Sequence, residues 1–541
     1  MGEKRFQNRR ANLDVPSQLP DYPITQLLNL PRILSWLIVF LCCIAVLSCS
    51  KPPSPNTLVM LIESSPSNLD PRIGTDGQSE RIDELLFDSL VRKDEHFNIQ
   101  PWLAERWEIA DPQTYIFHIR HGVVFHDGRP LSAKDVKWTL DSVRDGTVTT
   151  LKSGSFALVK NVETPDAYTV VVHLKEPDAP LMWNLTDGAL GIVPYGAGKD
   201  FSRNLIGSGP FRFVSFDPDS QVTVERNDNY WANRPKVERV RFAIVPDATT
   251  RALELRKGSA QVSASNSFPL DMVRALRRDH GLEVQQEPGT NLVYLAFNLR
   301  DPILKDVRVR QALAYAIDRE PMLHYLFADA GRLADSVLPP EQWAYNGNVA
   351  HYSYDPEKAN ALLDAAGYHR GHDGVRFHLT MKTSTDETSR LLAVVMQQQL
   401  RKAGIALDIR SFEFTTFYAD IVKGSFQLYP LRWLGYANED PDIFEYAFYT
   451  ASFAPKRANR SYYSNPRVDQ LIEEGRRTLD QDKRKQIYAE VQRILADDLP
   501  YIDFWYLDNV TVHSKQLRIP PVGPAGNYDF LIDAELLKAG N

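Results

Sequence analysis

Cysteine is nearly absent. The 541 residues hold three, Cys42, Cys43 and Cys49, and none follows position 49. No disulfide can form within the long remainder, so a body placed outside the cytosol has to be held by its core alone. A long hydrophobic run is missing as well. Ile33 to Leu47 is apolar apart from Ser35, but it falls short of the roughly 20 apolar residues that cross a bilayer. No second run of membrane length follows Cys49. Positive charge is not in excess: 62 Lys and Arg stand against 69 Asp and Glu, a net charge of −7. Residues 1–48 carry more basic than acidic groups, so the remainder is more acidic still, which disfavours nucleic acid as a partner.

Motifs that would seat chemistry are lacking too. No G-x-x-x-x-G-K-[ST] loop occurs. The glycine-rich Ile206-Gly207-Ser208-Gly209-Pro210 has no lysine and leads into a strand-like Phe211-Arg212-Phe213-Val214, so any ATP is hydrolysed by a partner. There is no H-E-x-x-H and no G-x-S-x-G. Alternation puts His118 and His121 on opposite faces, with His126 past a turn, which is a poor metal set. His369 and His372 share a glycine loop without cysteine or carboxylate geometry and read as solvated loop histidines. The expectation is a protein that is not an enzyme and carries no cofactor or metal. A hydrolase built from dispersed Ser, His and Asp is the remote alternative.

What is present begins with the leader. Arg32 followed by the apolar run has the charge-then-hydrophobic order of a secretory signal, and Lys51-Pro52-Pro53-Ser54-Pro55 after it reads as a linker. Val46-Leu47-Ser48-Cys49 resembles the lipobox of bacterial lipoproteins, although Leu47 is a less usual choice at its position. The resemblance implies that Cys49 becomes the first residue and carries the lipid. An uncleaved anchor is the alternative, and both readings tether the body outside the cytoplasm. Ser50, in place of a retaining aspartate, leaves sorting to an outer membrane open. Residues 1–31 mix charges (Glu3, Lys4, Arg9, Arg10, Asp14, Asp21), and no Met lies between Met1 and Met60. A start assigned upstream of the true one is one hypothesis for that stretch.

The body is 43% hydrophobic, 24% charged and 11% aromatic over the whole chain, material for several lobes. Thr57 to Ile62 reads as a strand, followed by a turn-rich loop from Ser64 to Pro71 and a helix from Gln78 to Leu90. Tyr115 to Arg120 alternates as a half-buried strand, and Ser132-Ala133-Lys134-Asp135 forms a capping box for the next helix. Asp355-Pro356 to Ala366-Gly367 has N-cap, first-turn proline and terminal glycine in order. Leu391 to Ala403 is a helix feeding the strand Ile405 to Ile409. Pro466 to Leu479 and Asp482 to Asp498 form a helical pair ended by Pro500. The pattern is α/β with several lobes.

The stretch Tyr115 to Leu140, YIFHIRHGVVFHDGRPLSAKDVKWTL, resembles the signature of the family 5 solute-binding proteins of ABC importers, which include oligopeptide- and dipeptide-binding proteins. Pro101 to Trp107, Gly207 to Phe211, Asn227 to Trp231, Tyr294 to Asn298 and Asp306 to Asp318 extend the resemblance in family order over nearly the whole mature chain. It implies a two-lobed periplasmic-binding-protein fold (type II, Venus-flytrap) with an extra subdomain inserted in the first lobe. The expected boundaries are a signal peptide over 1–48, a lipidated terminus and linker over 49–56, and first-lobe segments over 57–89 and 196–287. The inserted subdomain is expected over 90–195, the second lobe over 288–506, and a return to the first lobe over 507–541.

The same resemblance implies capture of a peptide or peptide-like solute in an interlobe cleft and delivery to ABC permease and ATPase subunits. The protein would be lipid-anchored in the periplasmic space or on the outer face of the cytoplasmic membrane. Nickel chelates, haem, oligosaccharides and opines are alternative ligands within the family, and a ligand-sensing or chaperone-like lipoprotein is the alternative role. Peptide-binding members use a tryptophan and an aspartate shortly before a proline, and the aspartate pairs with the ligand's amino group. Here the segment is Arg432-Trp433-Leu434-Gly435-Tyr436-Ala437-Asn438-Glu439-Asp440-Pro441-Asp442. Counting three on from Trp433 gives Tyr436, and counting four back from Pro441 gives Ala437, so neither count reaches an acid. Glu439 or Asp440 would have to supply the charge, because an unpaired ammonium in a closed cleft is unfavourable. The candidate ligand contacts are Trp433 and Tyr436 as stacking surfaces, Arg432 for a carboxylate, Asn438, Glu439 and Asp440, and Ser65 with Asn68 from the first lobe. Asp440-Pro441-Asp442 has a structural alternative as the cap of the next helix.

Overall fold

The computed structural model describes residues 56–537, apart from 187, 219, 265–267 and 434–438. Strand β1 (Thr57–Ile62) opens the chain with five buried residues in succession, the run expected of a strand covered on both faces. The chain then leaves this sheet. Strands β2 (Val91–Lys93) and β3 (Ile99–Pro101) pair with each other, and β4 (Ala104–Asp111), β5 (Thr114–Ile119), β6 (Val159–Asp166) and β7 (Thr169–Leu174) make a separate sheet ordered β4-β5-β7-β6. In β5 and β7 half-buried and buried residues alternate, so one face packs on the helix Ala133–Arg144. Leu140, Val136, Phe117 and Val172 belong to one core with it. Asp135 reaches back to the Ser132 N–H at 2.8 Å, as the capping box requires.

Strands β8 (Phe211–Asp217), β9 (Gln221–Arg226), β10 (Arg239–Ile244) and β11 (Val262–Ser263) return to β1, which lies between β10 and β11 and is parallel to both. The long β12 (Leu282–Phe297) then crosses into the second lobe. There β13 (Gly331–Leu333), β14 (Phe377–Ser384), β15 (Ile405–Phe412) and β16 (Leu428–Trp433) assemble, and β17 (Tyr501–Ser514) crosses back. The result is one 11-stranded sheet ordered β15-β14-β16-β12-β17-β11-β1-β10-β9-β8, with β13 on β17. The molecule is therefore two lobes on a shared sheet, spanned by an antiparallel pair. The β12–β17 register breaks between Glu287 and Asn291, beside Pro288-Gly289.

Each lobe has apolar cores on the two faces of its part of the sheet. In the second, Leu295, Phe297 and Trp505 lie in one cluster and Tyr294, Tyr429 and Trp433 in the other. In the first, Leu517, Tyr528, Phe530 and Leu531 pack with Met60, Val222 and Phe242, so the end of the chain closes over β1, β9 and β10. The helix starting at Gly77 ends at Leu86 rather than Leu90. The glycine-rich loop explains that stop. A Cβ on Gly207 would collide with the Leu86 carbonyl, and one on Gly209 would lie 2.6 Å from the Leu86 carbonyl carbon. His126 holds the same loop: its Nδ1 accepts from the Gly207 N–H and its Nε2 donates to the Gly209 carbonyl, both at 3.1 Å. Burial pushes this imidazole down to about 4, so it stays neutral.

Helices in the second lobe follow their caps. Pro356–Ala365 starts after Asp355, which accepts from the Lys358 N–H at 2.9 Å. Glu387–Lys402 starts a turn earlier than its apolar pattern suggests, because Asp386 takes the Ser389 N–H at 2.9 Å. Among the described residues no helix is long and apolar enough to cross a membrane.

Candidate functional site

Strand β16 ends on Trp433, and its last residues form one wall of a cavity of about 540 Å³ in the second lobe. The wall is aromatic. Phe327, Phe414, Phe417, Tyr418, Trp433 and Tyr446 line it, together with Arg432, Arg460 and Asp386. Trp433 is largely buried; its ring stacks on Tyr294 with centroids 5.9 Å apart and meets Tyr446 edge-on at 6.1 Å. Phe414 and Tyr418 stack on each other at 5.9 Å on the helix Phe414–Val422 and are partly exposed. Large apolar rings at the mouth of a concavity are what a ligand surface requires, since each can bury much area against a guest.

Arg432 opens into this cavity and stands 6.0 Å from the Phe327 ring. Its side chain is exposed within the concavity, and the protein packed around it lowers its pKa, with Asp386 acting in the opposite direction. Asp386 is engaged as the cap of Glu387–Lys402. The expected pair of Trp433 and Arg432 is therefore brought together, with Arg460, Tyr418, Phe414 and Tyr446 added from three later or earlier segments.

A second, smaller cavity of about 110 Å³ lies where the lobes meet. Glu80, Arg81, Glu84, Lys93, Trp183, Glu439 and Asn527 line it. Glu439 is buried, and its Oε2 takes the Lys93 ammonium at 2.6 Å. This ion pair joins the inserted segment to the second lobe. Burial pushes Glu80 up to about 7, against the pull of Lys152 and Lys93 and with help from Glu439 and Asp76. Further along the seam the Ala179 N–H donates to the Arg476 carbonyl at 2.8 Å, and Gln481 Nε2 donates to Asn98 Oδ1 at 2.9 Å. Asp442 pairs with Arg476 at 2.8 Å. Burial raises Asp442 to about 7 and Asp178 to about 6, opposed in both by Arg476.

The remaining expected residues land elsewhere. Asp440 does not line the aromatic cavity. It pairs with Arg484 at 3.2 Å and accepts the Asp442 N–H at 2.8 Å, just ahead of the helix Ile443–Phe448. Its position is the structural alternative of a helix start. Ser65 donates to the Pro66 carbonyl at 3.3 Å, and Asn68 accepts the Asp70 N–H at 2.9 Å, so both order the loop after β1 and line neither cavity. Tyr436, Asn438 and Cys49 lie outside the described residues. No group of three or more His, Cys, Asp or Glu suited to a metal ion occurs among the described residues.

Comparison with known proteins agrees with this architecture. The chain is 29% identical over 503 residues to the dipeptide-binding protein of Escherichia coli K12, covering 88% of this chain and 94% of that protein. It is 28% identical over 484 residues to heme-binding protein A of Haemophilus influenzae, covering 84% and 87%. The solved periplasmic binding protein DppA of Helicobacter pylori, in complex with the peptide STSA, superposes with a TM-score of 0.72 at 26% identity, over 89% of this chain and 98% of that one. These relatives bind solutes rather than transform them. With residues 98–455 matching the model for bacterial extracellular solute-binding proteins, family 5 Middle, this chain belongs to that family.

Proposed function

We propose that this protein is the extracytoplasmic binding subunit of an ABC importer, a lipoprotein that captures a peptide or peptide-like solute between its lobes and presents it to the permease. The observation that carries the reading is the aromatic cavity around Trp433, in a lobe that is joined to the other by ion pairs such as Lys93–Glu439. A ligand that touches both lobes stabilises the closed arrangement, and closure is the signal a permease can read. The hinge in this reading is the β12–β17 pair at its register break near Pro288-Gly289. Gly289 suits it, since a Cβ there would collide with the Leu507 carbonyl. Cys49 would supply the tether.

The relatives named for dipeptides, and the solved relative holding a peptide, support a peptide-like ligand. One observation favours a second reading. The cavity is aromatic with two arginines and no uncommitted carboxylate among its lining residues, which suits a flat, anionic, non-peptide solute such as the haem of another relative's name.

Mass spectrometry of the ligand released from natively purified protein, followed by calorimetry with that compound, tests the proposal. A peptide or amide-containing compound binding one to one is the expected result. A metal complex or sugar, with no peptide binding, overturns the peptide-like reading. The mass of the amino-terminal fragment tests the tether: a diacylated Cys49 is expected, and an intact Met1 terminus contradicts it.

A further inference from the structure

Arg460 is the least explained charge in the second lobe. It is 5% exposed, yet it lines the aromatic cavity. Its Nε and Nη1 have no hydrogen-bond partner among the described residues, and Nη2 donates only to the Tyr418 hydroxyl, at 2.8 Å. No carboxylate among the described residues pairs with it. Glu445 is taken by Arg457 at 2.6 Å and by Ser452 at 3.1 Å, and Asp469 accepts the Thr450 N–H at 2.9 Å. Asp386, across the cavity, caps its helix. Residues 434–438, next to Trp433, contain no acid at all.

The groups that do surround Arg460 are neutral. The guanidinium carbon stands 5.3 Å from the centroids of both Trp433 and Tyr418. Tyr294, Tyr429 and Tyr501 set buried hydroxyls close to one another, with Tyr429 also close to the guanidinium, though none has a partner in full hydrogen-bond geometry among the described residues, and burial drives their pKa values upward, so they remain phenols at any physiological pH. Rings offer a guanidinium some attraction through their faces. They do not replace an anion, and a guanidinium keeps its charge at all accessible pH. A buried, unpaired charge with unused donors is unfavourable unless something pairs with it. The mobile partner here is whatever enters the cavity.

We propose that Arg460 is the anchor for an anionic group of the ligand, and that the cavity selects an aromatic or apolar moiety carrying a carboxylate, which enters acid-first against Trp433. The ligand carboxylate takes the place of the Tyr418 hydroxyl as acceptor on Nη2, and the freed phenol donates to the same carboxylate. Trp433 and Phe414 cover the apolar part. Arg432, on the strand residue before Trp433, adds a second positive charge to the same cavity. The charge beside Trp433 is thus positive, which sets the orientation of a zwitterionic guest: its acid end lies inward against Arg460 and its amino end lies away from the two arginines. This inference rests on the solute-binding reading and specifies its ligand.

The test is calorimetry on ligand-free, full mature protein with two matched pairs of probes: N-acetyl-phenylalanyl-phenylalanine and its carboxy-terminal amide, and 3-phenylpropionate and its amide. The acids are expected to bind at least about tenfold more tightly than the amides, the scale of a charge-assisted pair. Arg460→Gln is expected to abolish that preference while leaving amide affinity within about threefold. Arg460→Lys is expected to restore part of the preference, and circular dichroism melts establish that each variant folds. Should Arg460→Gln fail to fold, Tyr418→Phe and the wild-type acid-to-amide ratio carry the test. The outcomes separate the claims. Acid preference for phenylpropionate without peptide binding supports the anchor and overturns the peptide-like reading. Equal binding of the peptide acid and amide, or a preference that survives in Arg460→Gln, overturns the anchor and leaves the peptide-like reading intact. No binding of any probe to wild type overturns both.

Discussion

The two cavities are opposites in chemistry. The larger one, inside the second lobe, is walled by six aromatic rings and two arginines, and its single carboxylate, Asp386, is spent on a helix cap. The smaller one, at the seam, gathers Glu80, Glu84 and Glu439 around Lys93 and Arg81. In the seam Glu439 has its counter-ion, Lys93, supplied by a distant segment. In the aromatic cavity Arg460 pairs with no carboxylate among the described residues. In the proposed reading the difference separates two tasks that a single interlobe cleft would otherwise blur: the charges of the seam hold the lobes together, and the unpaired charge of the cavity waits for a guest.

The comparison breaks most easily at Trp433. Trp433→Ala removes the stacking surface of the aromatic cavity and leaves the seam intact, so affinity for the natural ligand is expected to fall about 30-fold or more. Calorimetry with the co-purified compound checks this, and an unchanged dissociation constant would mean that the ligand sits elsewhere. Lys93→Met makes the complementary cut. It leaves Glu439 buried without its counter-ion in the closed form only, because opening returns Glu439 to water. Affinity is expected to drop about tenfold although no residue of the aromatic cavity has changed, and solution X-ray scattering should show a larger radius of gyration. The double variant Lys93→Met with Glu439→Gln should recover part of the loss. Simple additivity of the two single effects would remove the ion pair as a closure device.

The smallest expected effect sharpens the seam by pH. Glu80 titrates near 7 in the folded protein because burial penalises its charge. A carboxylic acid with a raised folded pKa binds its proton more tightly when folded, so its penalty is complete above about pH 7 and fades as pH falls toward the ordinary glutamate value. Glu80→Gln is therefore expected to melt about 1–3 °C above wild type at pH 8, with the gap closing by pH 5. Thermal melts at both pH values measure it, and a constant gap would contradict the burial argument.

Local signals in the sequence translated well where the physics is local. Asp355-Pro356, Ser132 with Asp135, and the alternating Thr114–Ile119 segment all became the elements their spacing implies. Trp433 and Arg432, expected as ligand contacts, both line the aromatic cavity. What escaped was set by contacts between distant segments. Nothing near Asn459-Arg460-Ser461 distinguishes its arginine from any other, because its isolation is created by Tyr294, Tyr429 and Tyr501 from three separate strands. Asp440 looked available as a charge for the ligand, but Arg484, on a helix more than forty positions on, engages it. Glu439 met Lys93 from the inserted segment in the same way. Gly207 and Gly209 lack the lysine of a phosphate loop, but that the end of the Gly77–Leu86 helix presses against them is visible only in the fold.

A crystal structure of the protein purified with its natural ligand bears most directly on the division between guest cavity and closure seam. Ligand density against Trp433 and Tyr418, with an acidic group in reach of Arg460 and the Lys93–Glu439 pair closed, is the predicted result. Ligand density confined to the seam beside Glu80 and Glu439, with only water around Arg460, would contradict it.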